Sequence, residues 1–175
     1  MSASDMYAQV RKAPPPKRDK RLWIALGLAA LLLVAAGLPA LMAVLQRNEF
    51  RRFAEDLGRN SSLSRRKWTI TMEMDGETYT LDAGEEYEFF LRQITTAGPG
   101  RTGSVPDEPP MAVLYFSTGP TLELWSVKLG GYTVNSREYG LFVRYTYRDG
   151  KTYTYENGKL SPTGVIRMLK ESIAE

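Results

Sequence analysis

The sequence predicts an α+β protein with one N-terminal transmembrane helix, an antiparallel sheet of about six to seven strands, and two further helices. Three observations predict this fold class. One uncharged apolar stretch is long enough to cross a bilayer. Short segments in which apolar and polar residues alternate, separated by turn residues, predict the strands. Two segments with apolar residues at helical spacing give the order strand-strand-helix-strands-helix, which predicts helices packed on one face of the sheet.

The apolar stretch comprises residues 22–46, which read LWIALGLAALLLVAAGLPALMAVLQ without a charged side chain. A helix of this length reaches about 37 Å, against about 30 Å for the hydrocarbon core of a bilayer. The stretch is apolar on all sides, and the rest of the chain is too short and too polar to bury it. It exceeds a typical signal-peptide core and lacks a clear cleavage site, so the sequence predicts an uncleaved signal anchor.

Basic residues flank the apolar stretch. Residues 1–21 carry a net charge of +4, residues 46–60 carry +1, and residues 61–175 carry −2. The pI of about 9.1 therefore arises beside the span, which favours the lipid bilayer as a partner and disfavours nucleic acid. Because the N-terminal flank is the more basic, we expect a single-pass protein of the cell membrane with a cytoplasmic N-terminus and an extracytoplasmic C-terminal domain.

Three further regions are predicted around the span. Residues 1–21 contain a run of three prolines and show no apolar periodicity, which predicts a disordered basic tail. Residues 47–63 are predicted to form a juxtamembrane helical stalk whose apolar face packs on the domain or on lipid headgroups. The residues of that face are Phe50, Phe53 and Leu57. Residues 64–175 are then the α+β domain.

The domain is predicted to begin with a hairpin and a helix. Apolar residues alternate on both sides of Asp75-Gly76, and a two-residue turn there puts them on one face of the sheet. The predicted pairs are Ile70 with Leu81 and Met72 with Tyr79. Asp82 and Glu85 then have the spacing of a capping box, which predicts a helix at 84–95. Its predicted buried residues are Tyr87, Phe90, Leu91 and Ile94.

A loop and two or three strands are predicted next. Residues 97–110 are rich in Gly and Pro and lack the Lys and the following helix of a phosphate-binding loop. Residues 111–116 form an unbroken apolar run, which predicts a central strand covered on both faces. Residues 121–129 are predicted as the next strand and residues 132–134 as a short edge strand.

Residues 139–148 and 151–156 predict the clearest hairpin. A three-residue loop with Gly150 in the left-handed conformation separates apolar from polar side chains, whereas a two-residue loop mixes them. The apolar face in the preferred register consists of Val143, Tyr145, Tyr147, Tyr153 and Tyr155. Ser161 and Pro162 then predict the start of a terminal helix. Its predicted apolar stripe is Val165, Ile166, Leu169 and Ile173.

No catalytic motif is present in the sequence. The chain contains no His and no Cys, which excludes Ser-His-Asp and Cys-His arrangements, disulfides and thiolate metal sites. Neighbouring acidic residues form local clusters without the spacing of a catalytic cleft. A catalytic Ser-Lys pair remains an alternative, although no motif identifies which serine and which lysine would form it. We therefore expect a protein that is not an enzyme and that needs no metal or other cofactor.

Four tyrosines of the second hairpin form the candidate ligand-binding site. They are Tyr145, Tyr147, Tyr153 and Tyr155. Their flat rings and polar tips suit stacking on sugars or peptides. The alternative is that the predicted helices cover this face as ordinary core.

Two functions follow from this outline, which resembles that of single-span envelope proteins of bacteria although no motif selects a family. In the first, the extracytoplasmic domain binds a protein or cell-envelope ligand, as a sensor or accessory subunit without catalysis. In the second, the protein is a structural scaffold subunit that assembles in a membrane complex through its span and stalk. An exposed tyrosine face would favour ligand binding, and a face covered by helices would favour the scaffold.

Overall fold

The computed structural model describes residues 20–61, 69–82, 84–129 and 138–174. They belong to two compact units, with the boundary between Ala43 and Val44. Most of the predicted basic tail and the predicted edge strand at 132–134 lie outside the described residues, as do Trp68 and the last two residues of the predicted stalk.

Helix α1 comprises Lys20–Ser61, so the apolar stretch and residues 47–61 of the predicted stalk belong to one helix. Its segment Trp23–Ser61 is the one helix among the described residues that is long and apolar enough to cross a membrane. No residue of its most apolar window is buried, and Leu33 is 75% exposed. Pro39 lies inside the helix without ending it.

The second unit is an α+β domain whose described strands form one antiparallel sheet of six strands in the order β2-β1-β3-β4-β5-β6. The strands are β1 (Ile70–Met74), β2 (Glu77–Leu81), β3 (Ala112–Phe116), β4 (Thr121–Lys128), β5 (Tyr139–Thr146) and β6 (Thr152–Asn157). The further helices are α2 (Glu85–Thr96) and α3 (Pro162–Glu171). The predicted fold class and element order of the domain are confirmed.

Both predicted hairpin registers are confirmed. In the first hairpin, Ile70 lies opposite Leu81 and Met72 opposite Tyr79. In the second, Tyr145 lies opposite Tyr153, and Gly150 adopts a φ of +82°. The N–H of Gly150 donates to the carbonyl of Tyr147 at 2.9 Å and closes the loop. Glycine adopts this left-handed conformation without the steric penalty of a side chain, which is why this register is available here.

Two local predictions are wrong. Helix α2 has Gly84 as its N-cap with no side-chain cap, so the capping box from Asp82 does not form. Instead, the backbone N–H of Asp82 donates to the carbonyl of Ser172 at 2.8 Å, a contact with the C-terminal segment. Strand β3 is central, but it is covered on one face only, because Val113 is half-buried and Tyr115 is 39% exposed.

The main core lies between one face of the sheet and the helices. Residues 50–57 of α1 contribute to it together with α2 and α3. Ser161 caps α3 as predicted, since its hydroxyl oxygen accepts from the N–H of Gly164 at 3.3 Å. On the opposite face of the sheet, the ring centroids of Trp125 and Phe142 lie 5.5 Å apart. The indole N–H of Trp125 also donates to the carbonyl of Glu108 at 2.8 Å. The loop after α2 therefore covers part of the second face.

Candidate functional site

The C-terminal part of α1 covers part of the tyrosine face of the sheet. Phe53 is fully buried, and its ring centroid lies 5.3 Å from those of Tyr145 and Tyr153 and 5.5 Å from that of Tyr155. These contacts follow from the helical spacing of the apolar face of α1 and the period-two spacing of the tyrosines. The apolar face of the predicted stalk was open to packing on the domain or on lipid headgroups, and in the structure it packs on the domain.

A polar contact fixes the same helix to the sheet. The Tyr145 hydroxyl donates to Oδ2 of Asp56 at 2.8 Å, and the side-chain amide of Asn60 donates to the same oxygen at 3.1 Å. Burial, together with the Asp56 carboxylate, raises the pKa of Tyr145 well above its usual value. Tyr145 is therefore held protonated as a hydrogen-bond donor to α1.

The structure divides the four predicted site tyrosines into two groups. Tyr145 and Tyr155 are buried, with 0% and 1% of their surface exposed. Tyr147 and Tyr153 are half-buried and line an open cleft, whose lining Tyr155 also touches although it is almost fully buried. Tyr145 and Tyr155 therefore offer almost no accessible surface on which a ligand could stack. The face is thus neither fully exposed nor fully covered.

The cleft lies between the C-terminal part of α1, the loop around Gly100 and the β5–β6 hairpin. Its volume is about 610 Å³, within the range of about 300–1,000 Å³ that is usual for ligand sites. Gln46 and Arg52 of α1 form one wall, and Thr152 and Thr154 of β6 belong to the other. Thr102 of the loop closes one side.

Acidic and basic side chains are balanced in the cleft. Its acidic residues are Glu49, Asp56 and Asp149, and its basic residues are Arg52, Arg148 and Lys151. Lys151 donates to Asp149 at 2.8 Å, which lowers the pKa of that carboxyl group. Burial raises the pKa of Tyr153 to about 12, and Glu49 adds to this effect. The lining therefore suits a neutral or mixed-charge ligand with an apolar part better than a polyanion.

The loop after α2 is the part of the site that sequence reasoning missed. Arg101 exchanges two backbone hydrogen bonds with Glu156, one of 2.8 Å and one of 2.7 Å, and so holds the loop against β6. Gly100 permits this approach, because a methyl group there would overlap the carbonyl of Glu156. In the sequence, the glycines at 98 and 100 are the signal that the loop backbone can approach another segment closely, but they do not indicate which strand it approaches.

The described residues contain no group of three or more Asp, Glu, His or Cys side chains placed to hold a metal ion. Comparisons of the chain with protein-family models, with curated proteins and with solved structures each found no match.

Proposed function

We propose that this is a single-pass membrane protein whose extracytoplasmic domain binds a protein or cell-envelope ligand in the cleft, without catalysis. The observation that carries this proposal is the cleft of about 610 Å³ with the half-buried rings of Tyr147 and Tyr153 in its lining. Tyrosines in such a position offer an apolar ring together with a polar tip, which is typical of binding surfaces.

The membrane anchor is supported by the length and the composition of α1. No residue of its apolar window is buried, and basic residues lie on both sides of that window in the sequence. In lipid these side chains would be buried, and the backbone polar groups within the helix would bond one another, apart from the carbonyl of Ala35, which lacks a donor because Pro39 has no N–H. In sequence, Gln46 of the cleft is the last residue of the apolar stretch and Glu49 lies three residues later, which favours a ligand that is held close to the membrane.

Reporter fusions test the orientation. We expect a reporter that is active only outside the cytoplasm to show activity when it is fused after Glu175. The same reporter fused before Met1 is expected to stay inactive, because the more basic flank is retained in the cytoplasm. Equal activity at both ends, or activity at the N-terminus alone, would contradict the proposed topology.

Photo-cross-linking in intact cells tests the cleft. A photo-reactive residue in place of Thr102, which lines the cleft, is expected to capture a ligand. The same residue in place of Thr78, which is exposed on β2, is expected to capture none. We expect Tyr147→Ser to reduce the adduct several-fold, since an aromatic contact contributes about 0.5–1.5 kcal/mol beyond its buried area.

The matched control for this variant is Tyr139→Ser, which removes a 49% exposed tyrosine at the other end of β5. It is expected to leave the adduct from position 102 unchanged. Identical adducts from both cross-linking positions, or identical yields in the two tyrosine variants, would show that the cleft is not the binding site. Tyr145 and Tyr155 are unsuitable for this experiment, because their replacement disturbs the core.

The scaffold function is the second candidate, and one observation favours it. Helix α1 covers Tyr145 and Tyr155, while the largest exposed apolar surface of the described residues lies on the first half of α1. Assembly through that surface would not require the cleft. Adducts that form only from positions within the span, and that persist in Tyr147→Ser, would favour the scaffold over the ligand-binding function.

A further inference from the structure

The outer edge of β6 carries backbone groups that point into solvent. Within the second hairpin, the N–H of Tyr147 donates to the carbonyl of Lys151 at 2.8 Å, and Tyr145 lies opposite Tyr153. Odd-numbered residues of β6 therefore direct their backbone groups towards β5. Glu156 bonds Arg101 on the other side, as expected for an even-numbered residue. By the same alternation, Thr152 and Thr154 direct their N–H and C=O groups outward.

This edge is open next to the cleft. The loop after α2 pairs with β6 at Arg101 and then leaves the edge. Two residues later, at Gly103, it lies next to Phe142 on the opposite face of the sheet, where an added methyl group would be 3.2 Å from the Phe142 ring. Within the part of the chain that the structure describes, no backbone hydrogen bond reaches the outward groups of Thr152 or Thr154. Both residues line the cleft, so the unpaired edge and the cleft are one surface.

The other edge of the sheet is closed in part by the chain itself, at Thr80 and Asp82. On β2, the carbonyl of Thr80 accepts from the N–H of Ala174 at 3.0 Å, and the N–H of Asp82 donates to Ser172 at 2.8 Å. The C-terminal segment thus pairs with β2 at two successive outward positions. This contrast identifies β6 as the edge at which an additional strand can be accommodated.

The sequence of the open edge favours strand pairing. Residues 152–155 read Thr-Tyr-Thr-Tyr, which are residues of high β-propensity without charge or proline. Edges that avoid pairing usually carry an inward charge, a lysine or a proline. Charged residues flank this stretch on both sides: Lys151, which bonds Asp149 at the tip of the hairpin, and Glu156, whose backbone pairs with Arg101.

We propose that the cleft binds an extended peptide segment of a partner protein, which pairs with β6 as a seventh strand and places an apolar side chain against Tyr147 and Tyr153. This inference rests on the proposed ligand-binding function and names the class of ligand. A peptide backbone repeats donors and acceptors at the spacing of Thr152 and Thr154, whereas a sugar or a lipid headgroup does not. The balanced charges of the cleft fit a segment without strong net charge.

Selection from a random-peptide library against the full chain in lipid nanodiscs tests the proposal. We expect the selected peptides to share alternating apolar residues and to protect the amides of Thr152 and Thr154 from hydrogen exchange. Thr154→Pro removes one outward N–H and is expected to weaken binding of a selected peptide about tenfold or more. Proline is tolerated at such an edge position, because the lost N–H makes no bond within the sheet.

The matched control is Thr78→Pro, which removes an outward N–H at an exposed position on the opposite edge. It is expected to leave peptide affinity within about twofold of the original value. If Thr154→Pro fails to fold, the exchange protection of Thr154 in the unmodified protein still decides the result.

Each other outcome overturns the proposal in a distinct way. Peptides that bind equally well to Thr154→Pro but lose affinity in Tyr147→Ser would place the ligand in the cleft without strand pairing, and the proposed function would survive. Absence of selected peptides, or peptides insensitive to both changes, would remove the peptide proposal, and the cross-linking experiment would then decide the function separately. A dimer that dissociates in Thr154→Pro would make a second copy of this chain the occupant.

Discussion

Replacing Phe53 with Ala is expected to destabilise the domain by about 3–5 kcal/mol, because it removes a fully buried aromatic ring and leaves a cavity. The lost ring contacts Tyr145, Tyr153 and Tyr155 at centroid distances of 5.3–5.5 Å. Since domains of this size are stable by only about 5–15 kcal/mol, this change removes a large part of the total. Denaturant unfolding of the full chain in detergent, followed by tryptophan fluorescence, measures the effect.

The control for this prediction is Phe89→Ala on α2. Phe89 is 45% exposed, so its truncation is expected to change the free energy of unfolding by about 0.5 kcal/mol or less. Equal effects of the two substitutions would show that α1 does not pack on the sheet as the structure describes. The comparison is matched in residue type and in helical context.

Stability is expected to fall steeply above pH 10, because buried tyrosines must stay protonated in the folded domain. Burial raises the pKa of Tyr155, and burial together with Asp56 raises that of Tyr145. In the unfolded chain both ionise near their ordinary value of about 10. Their contribution to stability is therefore complete below pH 10 and is lost as the pH rises towards the folded-state pKa values. Each fully buried tyrosine accounts for about 1.4 kcal/mol per pH unit in this range.

Denaturant unfolding at a series of alkaline pH values measures this slope, and tyrosinate absorbance reports ionisation. Tyr155→Phe is expected to reduce the slope of the unfolding free energy against pH by the contribution of one buried tyrosine, which is about 1.4 kcal/mol per pH unit. At neutral pH its cost is small, since the Tyr155 hydroxyl makes only a long contact of 3.4 Å with the carbonyl of Ile94. An unchanged slope in this variant would contradict the assignment of Tyr155 as a buried, protonated group.

The two hairpins and helix α3 were predictable because their signals are local. Asp75-Gly76 and Gly150 specify turns, and alternation within each strand selects the register that puts apolar side chains on one face. Ser161 followed by Pro162 marks the start of α3 in the same way. These features depend on residues that are neighbours in the sequence, so they needed no knowledge of the tertiary structure.

Errors arose where a distant segment competes for the same groups. The capping box at Asp82 failed because the backbone there pairs with the C-terminal segment and Gly84 takes the N-cap position. The apolar run at 111–116 predicts a strand that is covered on both faces, but hydrophobicity does not reveal that the helices lie on one face only. Local pattern reports which residues share a face and gives no information on what covers that face.

The sequence by itself determined the uncharged stretch at 22–46, the α+β order of elements and the grouping of the four tyrosines. Only the tertiary structure decided that α1 buries Tyr145 and Tyr155 while Tyr147 and Tyr153 stay half-buried beside a cleft. The physical reason is that strand periodicity specifies a common direction for side chains, whereas their burial depends on packing between α1, the loop at Gly100 and β6, which are far apart in the sequence.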